Sequence, residues 1–431
     1  MKRAYRVALF FLVQTQLFAQ SISFEQVVNE SLKKSLELKI IEVNKKITEA
    51  KVEEISSLYY PTLGVSIYQQ YSENLDSEER SGTTIGSTYI GSQTQYESST
   101  SFQMDYTLYD FGVRSSKEKI AKIERKLVDF TLDEHAQKLK LKLLDIYSRL
   151  LTYSSEMQHF TSIKSLLSKI YQQTKRLYEA GEVDKLSVSD RAIELVELDQ
   201  KIESAKAGLK EQLEQLSFFT KESYDEDIQP LGFNQKSSST ITYNETATHQ
   251  SFQAKKEQKE QELELLDAEL YPSINFFGRY NMYGAKVTSI WTSMYHMRKR
   301  NYVVGLGVNY TLFEGFKSSA SKKRLKAEKL QLELQDQEQE EIFAQQQKAN
   351  EQKVQSIITQ IEQTTQSIAQ QEQKTQMLTR LQAQQEVDGI SVLKNKVSAI
   401  YKQLALDKNL IEQQSKLKEM EILNSKGVSY E

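Results

Sequence analysis

The side chains able to do chemistry are few and scattered. Four histidines, His135, His159, His249 and His296, are the first candidates for metal binding or proton transfer. No two of them stand at the short spacing that would bring two imidazoles to one metal, so each reads as a surface or packing histidine. The chain has no cysteine, which excludes disulfides, thiolate metal sites and a cysteine nucleophile. Ser31-Leu32-Lys33-Lys34 fits the Ser-x-x-Lys pattern of acyl-transfer enzymes, yet it lies in a lysine-rich helix and lacks their companion motifs. Gly305-Leu306-Gly307 is no phosphate loop, because the residues after it continue a strand instead of opening a helix. The reading is of a protein that is not an enzyme, with no catalytic residues, no cofactor and no metal.

Duplicated residues carry the information instead. Arg176 to Val188 aligns without a gap on Arg380 to Val392, an offset of 380 − 176 = 204 residues. Within it, Gly181, Glu182, Val183, Leu186 and Ser187 answer to a second set that includes Glu386, Val387, Gly389, Ile390 and Ser391. At the same offset Tyr106-Thr107-Leu108-Tyr109-Asp110 matches Tyr310-Thr311-Leu312-Phe313-Glu314, and a third match pairs Tyr60-Pro61 with Tyr271-Pro272. Three motifs repeated in one order make the chain two copies of one unit. The first copy is expected over residues 20–220 and the second over 251–431. Residues 221–250 between them, rich in Ser and Thr and containing Pro230, read as a linker.

The elements that must position these repeats follow from composition and period. Only three prolines and 15 glycines in 431 residues imply long uninterrupted helices. Leu139, Leu143, Ile146, Leu150, Tyr153, Met157 and Phe160 alternate by four and three, the seam of a coiled coil, and Leu198, Ile202, Ala205, Leu209, Leu213 and Leu216 resume it after Gly181. Each copy therefore carries an antiparallel helical hairpin, expected at about 115–220 and 318–425, whose end is the repeated Glu-Val-Asp element. The stretch Gln335 to Gln376 is crowded with Gln and Glu and has few apolar positions. It reads either as a solvated outer face or as a helix wet on both an outer and a duct-lining side.

Each copy also carries a pair of strands, expected at about 60–111 and 271–315. Leu63, Val65 and Ile67 alternate with Thr62, Gly64 and Ser66; Phe102, Met104, Tyr106 and Leu108 alternate with polar residues. Ile274, Phe276, Tyr280 and Met282, then Tyr302, Val304, Leu306 and Val308, repeat the pattern. Period-two alternation fits any half-buried sheet. Strands of about 10 residues with tyrosines clustered at their ends favour a bilayer, with the apolar face to lipid and the polar face to water. Four strands cannot close a barrel, so a membrane sheet of this size requires oligomerisation. Ser72 to Ser101 and Gly284 to Arg300 would form the longer external loops.

The first residues have the anatomy of a secretion signal: Lys2, Arg3 and Arg6 precede an apolar stretch from Val7 to Val13, with Ala19 at a cleavage position. A signal peptide of residues 1–19 is expected, with no cysteine behind it to take a lipid. The net charge of −3 gives no reason to expect nucleic acid as a partner.

In the order and duplication of these features the chain resembles the TolC-like outer-membrane efflux family. The resemblance rests on the entry helix from Ser23-Phe24-Glu25-Gln26-Val27-Val28 to Ser57, the strand starts at Pro61 and Pro272, the strand ends Tyr106 to Gly112 and Tyr310 to Gly315, and the tip Arg176 to Ser189. It implies a mixed α+β membrane protein: four antiparallel transmembrane strands per protomer in a shared twelve-strand barrel, and two coiled-coil hairpins forming a periplasmic tunnel. It implies a homotrimer in the outer membrane, docked by its tips onto a periplasmic adaptor protein and thereby onto an inner-membrane transporter. Its function would be the exit duct of a tripartite efflux or type I secretion system, passing small molecules or polypeptides by passive conduction. One departure concerns the entrance, where members often carry acidic residues after the second tip. Here the stretch holds Lys394 and Lys396, with Asp388 the nearest carboxylate. The alternative class is a secreted structural coiled-coil protein with a small soluble β domain, which would need no matched amphipathic strands at the base of each hairpin.

Overall fold

The computed structural model describes residues 21–72, 82–85, 88–91, 95–225, 227–234, 242–286 and 288–424. The expected signal peptide and its cleavage position lie outside them. In chain order the elements are β1 (Ser21–Ile22), α1 (Phe24–Lys34), α2 (Leu36–Ser56), β2 (Thr62–Ser72), β3 (Gly82–Ile85), β4 (Thr88–Gly91), β5 (Gln95–Tyr109), α3 (Val113–Glu179) and α4 (Lys185–Thr220). There follow β6 (Gln229–Pro230), α5 (Ala247–Ala268), β7 (Ser273–Lys286), α6 (Ile290–Tyr295), β8 (Lys299–Asn309), α7 (Lys317–Ala383) and α8 (Gly389–Leu423). Two compact units divide the chain: one of residues 1–40, 132–247 and 339–431, the other of residues 41–131 and 248–338.

The second of these units holds an antiparallel sheet of order β2-β5-β7-β8. Its register puts Leu63, Met104, Gly278 and Val304 in one row and Val65, Phe102, Tyr280 and Tyr302 in the next. The alternation therefore survives pairing, and every apolar set lands on one face. That face is bare: Leu63 is 74% exposed, Leu306 67% and Val308 66%. Two details differ from the simple alternation. A bulge between Thr107 and Tyr109 takes Leu108 out of register, so Tyr109 opposes Ile274. Phe277 lies on the polar face, where its ring covers Gly305 so closely that a Cβ there would fall 2.6 Å from it. The expected external loops are also shorter than supposed. β5 already begins at Gln95, β3 and β4 pair within the first loop, and α6 occupies the second.

Each strand pair hands over to its long helix through the same turn. Phe111 and Gly112 in the first copy, and Gly315 and Phe316 in the second, all have positive φ. An acidic residue before the turn then caps the helix. The Asp110 carboxylate accepts the Arg114 N–H at 3.0 Å, and Glu314 accepts the Ser318 N–H at 2.9 Å. Only the first copy buries a cation there. Arg114 is 9% exposed, pairs with Asp110 at 2.8 Å and lies over the Tyr59 ring at 4.9 Å.

The other unit is built of helices. The seam read from the sequence is buried at Leu139, Leu143, Ile146, Leu150, Leu198, Ala205 and Leu213, as a coiled-coil packing demands. Gly208 lets α4 approach α3, because a Cβ there would fall 2.5 Å from the Tyr153 ring. Leu404, Val397 and Ile400 of α8 pack against the same core as Phe160, Ile163 and Leu198. Near the chain's start, Phe24, Tyr147 and Phe233 form an aromatic trio with centroids 5.5 to 5.7 Å apart. The parallel β1–β6 pair adjoins it, and the Tyr147 hydroxyl is shared between the Ile22 and Leu231 carbonyls at 2.8 and 2.7 Å. Burial pushes that phenol's pKa far up.

Candidate functional site

The two hairpin ends have one geometry written twice. After α3, the Gly181 N–H donates to Tyr178 O and the Glu182 N–H to Leu177 O, both at 2.9 Å. After α7, the Gln385 N–H donates to Gln382 O and the Glu386 N–H to Leu381 O, both at 3.0 Å. These bonds satisfy the last carbonyls of each helix through a left-handed residue. That residue is Gly181 with φ 78° in the first tip and Gln385 with φ 61° in the second. Asp184 then caps α4 by accepting the Ser187 N–H at 2.8 Å, and Asp388 caps α8 by accepting the Ser391 N–H at 2.8 Å. The hydroxyl and amide of Ser187 hold the Asp184 carboxyl below its ordinary value.

Side chains at the ends are presented unequally. Leu186 is 66% exposed, whereas its counterpart Ile390 is half-buried, as are Val183 and Val387. Glu182 and Glu386 are exposed. Gly389 is approached by the Gln382 amide, to which a Cβ would come within 3.0 Å.

The expected entrance residues do not converge. Asp388 serves as a helix cap, while Lys394 and Lys396 line different cavities. One, of 340 Å³, brings Lys394 to Arg191, Glu194, Glu197, Lys201 and Tyr401. Burial, with Glu194 and Glu197 nearby, raises the Tyr401 phenol. The other, of 240 Å³, places Lys396 with Lys169, Arg176 and Gln382. Sequence reading missed these partners because they lie on helices distant in the chain, and Arg191, Glu194, Glu197, Lys201, Tyr401 and Lys169 fall outside the repeated motif.

The histidines have structural partners. His135 meets Glu37 at 2.6 Å, His159 meets Asp407 at 2.7 Å, His249 meets Asp336 at 3.0 Å, and His296 contacts the Thr292 carbonyl. Among the described residues no group of three or more His, Asp or Glu is placed to hold a metal ion. No helix among them is long and apolar enough to cross a membrane. The sheet carries a bare apolar face.

The fold is thus an open sheet with one bare apolar face, joined in sequence to two helical hairpins. Residues 27–220 match the model of the outer membrane efflux protein family. That stretch is the first copy of the repeat, and over it the chain is similar to that family. No curated protein sequence matches the chain. Solved structures do. A structure of CusC, described for the changes accompanying its folding and transmembrane channel formation, superposes with a TM-score of 0.77 at 12% identity, over 94% of this chain and 92% of that one. The outer membrane protein VceC of Vibrio cholerae gives 0.73 at 12% identity, covering 93% and 94%. The CmeC outer membrane channel of Campylobacter jejuni gives 0.75 at 13% identity, covering 95% and 87%.

Proposed function

We propose that three copies of this chain close one barrel in the outer membrane and form a passive exit duct for efflux or type I secretion. One observation carries this reading. The sheet ends in two edge strands, β2 and β8, each paired on one side only, and carries an exposed apolar face. In lipid an open edge leaves backbone groups unsatisfied at several kcal/mol each, so neighbours must supply the missing pairing. A soluble β domain would instead have to leave Leu63, Val65, Ile67, Val304, Leu306 and Val308 in water. In this reading residues 1–19 are removed and the mature chain begins at or near Gln20. Semi-native electrophoresis of the outer-membrane fraction, with and without boiling, tests it. A heat-sensitive trimer is expected; a soluble periplasmic monomer would refute the reading. Arg at Leu306 is expected to cost roughly 2 to 4 kcal/mol near the midplane, and Arg at Asn309, on the opposite face, to be tolerated and to alter conductance. Equal tolerance at the two sites would overturn the face assignment.

The tips are the docking surface for a periplasmic adaptor, which in turn engages an inner-membrane transporter. Support comes from the duplication of Val183/Leu186 and Val387/Ile390 beside Glu182 and Glu386, at hairpin ends with little core of their own. Replacing Val183 and Val387 by Asp is expected to abolish adaptor cross-linking and export while trimer and outer-membrane levels stay normal. Export lost together with the trimer would assign these residues to hairpin support instead.

A further inference from the structure

The sheet register sorts the apolar face into rows, and the last row is covered. From Val308 to Arg300 along β8 is eight residues, about 27 Å of strand and roughly 20 Å of bilayer at a 40° tilt. Apart from Gly278, rows from Val308 up to Tyr302 and Val65 carry apolar or aromatic side chains. The next row brings Arg300 beside Met282, Thr100 and Ile67, so a guanidinium stands at the rim of the apolar band. Beyond it lies the row of Gly284, Ser98 and Gln69.

Helix α6 is docked on that last row. Ser293 is fully buried and its hydroxyl donates to Gly284 O at 2.8 Å. Gly284 is required there, because a Cβ would fall 2.1 Å from Ser293 O. The Gln69 amide donates to Met294 Sδ at 3.1 Å, and Thr100 Oγ1 to Met297 Sδ at 3.7 Å. Gln69, Thr100 and Gly284 all belong to the face of Ile67, so the helix lies on the side of the sheet that faces lipid, at the end away from the long helices.

What α6 offers outward is a particular chemistry. Trp291 is 65% exposed and Tyr295 81%, four residues apart. Residues 286–300 hold Lys286, Arg298, Lys299 and Arg300 and no acidic residue, in a chain whose net charge is −3. Glu97, the nearest strand carboxylate in register, pairs with Ala285 on the opposite face and lines one cavity with Lys286, Arg298 and Lys299, so the cations of this end outnumber it. Aromatic rings with polar edges settle at headgroup level, and clustered cations beside them attract anionic headgroups.

We propose that α6, with Lys286 and Arg300 beside it, is a lipid-binding platform that takes the phosphate groups of outer-leaflet lipid and seats Trp291 and Tyr295 among the headgroups. Continuity decides for lipid over a protein partner: the platform shares one face with the apolar band, so what bathes the band also meets the helix. The inference rests on the membrane reading of the sheet.

Trp291 is the single tryptophan of the chain, so its fluorescence reports on α6 alone. The test reconstitutes the full-length protein in phosphatidylcholine vesicles and confirms insertion by conductance. Quenching by brominated phosphatidylglycerol is then compared with quenching by brominated phosphatidylcholine at equal fraction. Both are expected to quench, the anionic lipid more strongly. Lys286→Gln with Arg300→Gln should lower that preference by a factor of roughly 30, at about 1 kcal/mol per charge. Raised salt applied to the unaltered protein should erase it likewise, which keeps the test decisive if the double variant fails to insert. Trp291 unquenched by either lipid in a conducting channel would overturn the platform. Equal quenching by both would overturn phosphate recognition. Absence of conductance in the unaltered protein would instead count against the duct itself.

Discussion

The hairpins α3–α4 and α7–α8 share length, tip and register, yet they are held together by opposite means. At the 204-residue offset Ile163 answers to Ser367, Leu167 to Gln371, Tyr171 to Thr375 and Leu198 to Lys402. In the first hairpin Ile163 is fully buried and Leu198 is 2% exposed, in one apolar cluster. In the second, the Gln371 amide donates to Asn395 Oδ1 at 2.8 Å and the Asn395 amide to Thr375 Oγ1 at 2.6 Å. Lys402 reaches Gln371 Oε1 at 3.2 Å. A buried Ile or Leu contributes about 1.5 to 3 kcal/mol, whereas a hydrogen bond exchanged against water contributes a net ~1 kcal/mol. The same architecture thus has a strongly cohesive seam and a weakly cohesive one. The weak one holds α7, which in the isolated chain buries only Leu325, Asp336, Ile357 and Gln371 along its 67 residues.

The largest expected effect lies in the strong seam. Ile163→Ser should destabilise the protein by roughly 3 to 5 kcal/mol, since it opens a cavity and buries a hydroxyl. The reverse change, Ser367→Ile, meets a half-buried polar surface and should shift stability by less than about 1 kcal/mol. Thermal unfolding of the solubilised assembly measures both. Equal losses would erase the contrast between the hairpins.

A smaller effect belongs to the ladder. Asn395→Ala leaves the buried Gln371 amide only the backbone carbonyl of residue 395, at 3.2 Å, removes the donor to Thr375 Oγ1, and should cost about 1 kcal/mol. Joint replacement of Gln371 and Asn395 by Leu should recover most of that, because the apolar pair needs no partner while Lys402 keeps the Ser367 carbonyl at 3.4 Å and Thr375 the carbonyl of residue 371 at 2.8 Å. Amide exchange along α7 reads the result directly: faster in the single variant, slower in the double one. If the double variant exchanges fastest, the ladder supplies more cohesion than its bonds account for.

What was legible in the sequence, and what was not, divides along the same line. Apolar seams and alternating strands announce themselves by period, and the observed sheet and the α3–α4 seam follow it. Polar contacts have no period. Gln371 lies in the Gln- and Glu-rich stretch that the sequence leaves open between a solvated outer face and a helix wet on two sides, and only Asn395 and Lys402 across the seam make it part of a ladder. The same holds for His159 with Asp407, 248 residues apart. Position on a face was lost wherever the backbone departs from regularity, as at the bulge beside Leu108. The tips were found because they are duplicated. The cavities around Lys394 and Lys396 were not, because Arg191, Lys169 and their neighbours come from other helices without a shared pattern.

The smallest expected effect tests whether the tips differ as the seams do. Both turn the chain through a left-handed residue, but the first uses Gly181 and the second Gln385. A side chain in that region costs on the order of 1 kcal/mol that glycine does not incur. Gln385→Gly should therefore stabilise the second tip by up to about 1 kcal/mol, less what glycine gains in freedom when unfolded, and Gly181→Gln should weaken the first by a similar amount. Neither change removes a hydrogen bond, since the Glu182 and Glu386 amides donate from the next residue. Amide exchange at Glu182 and Glu386 isolates each tip from the rest of the molecule. Protection that rises at Glu386 and falls at Glu182 would locate the difference in the backbone. Unchanged protection at Glu386 would mean that the second tip is held by its side-chain neighbours, Gln382 against Gly389, and not by its turn.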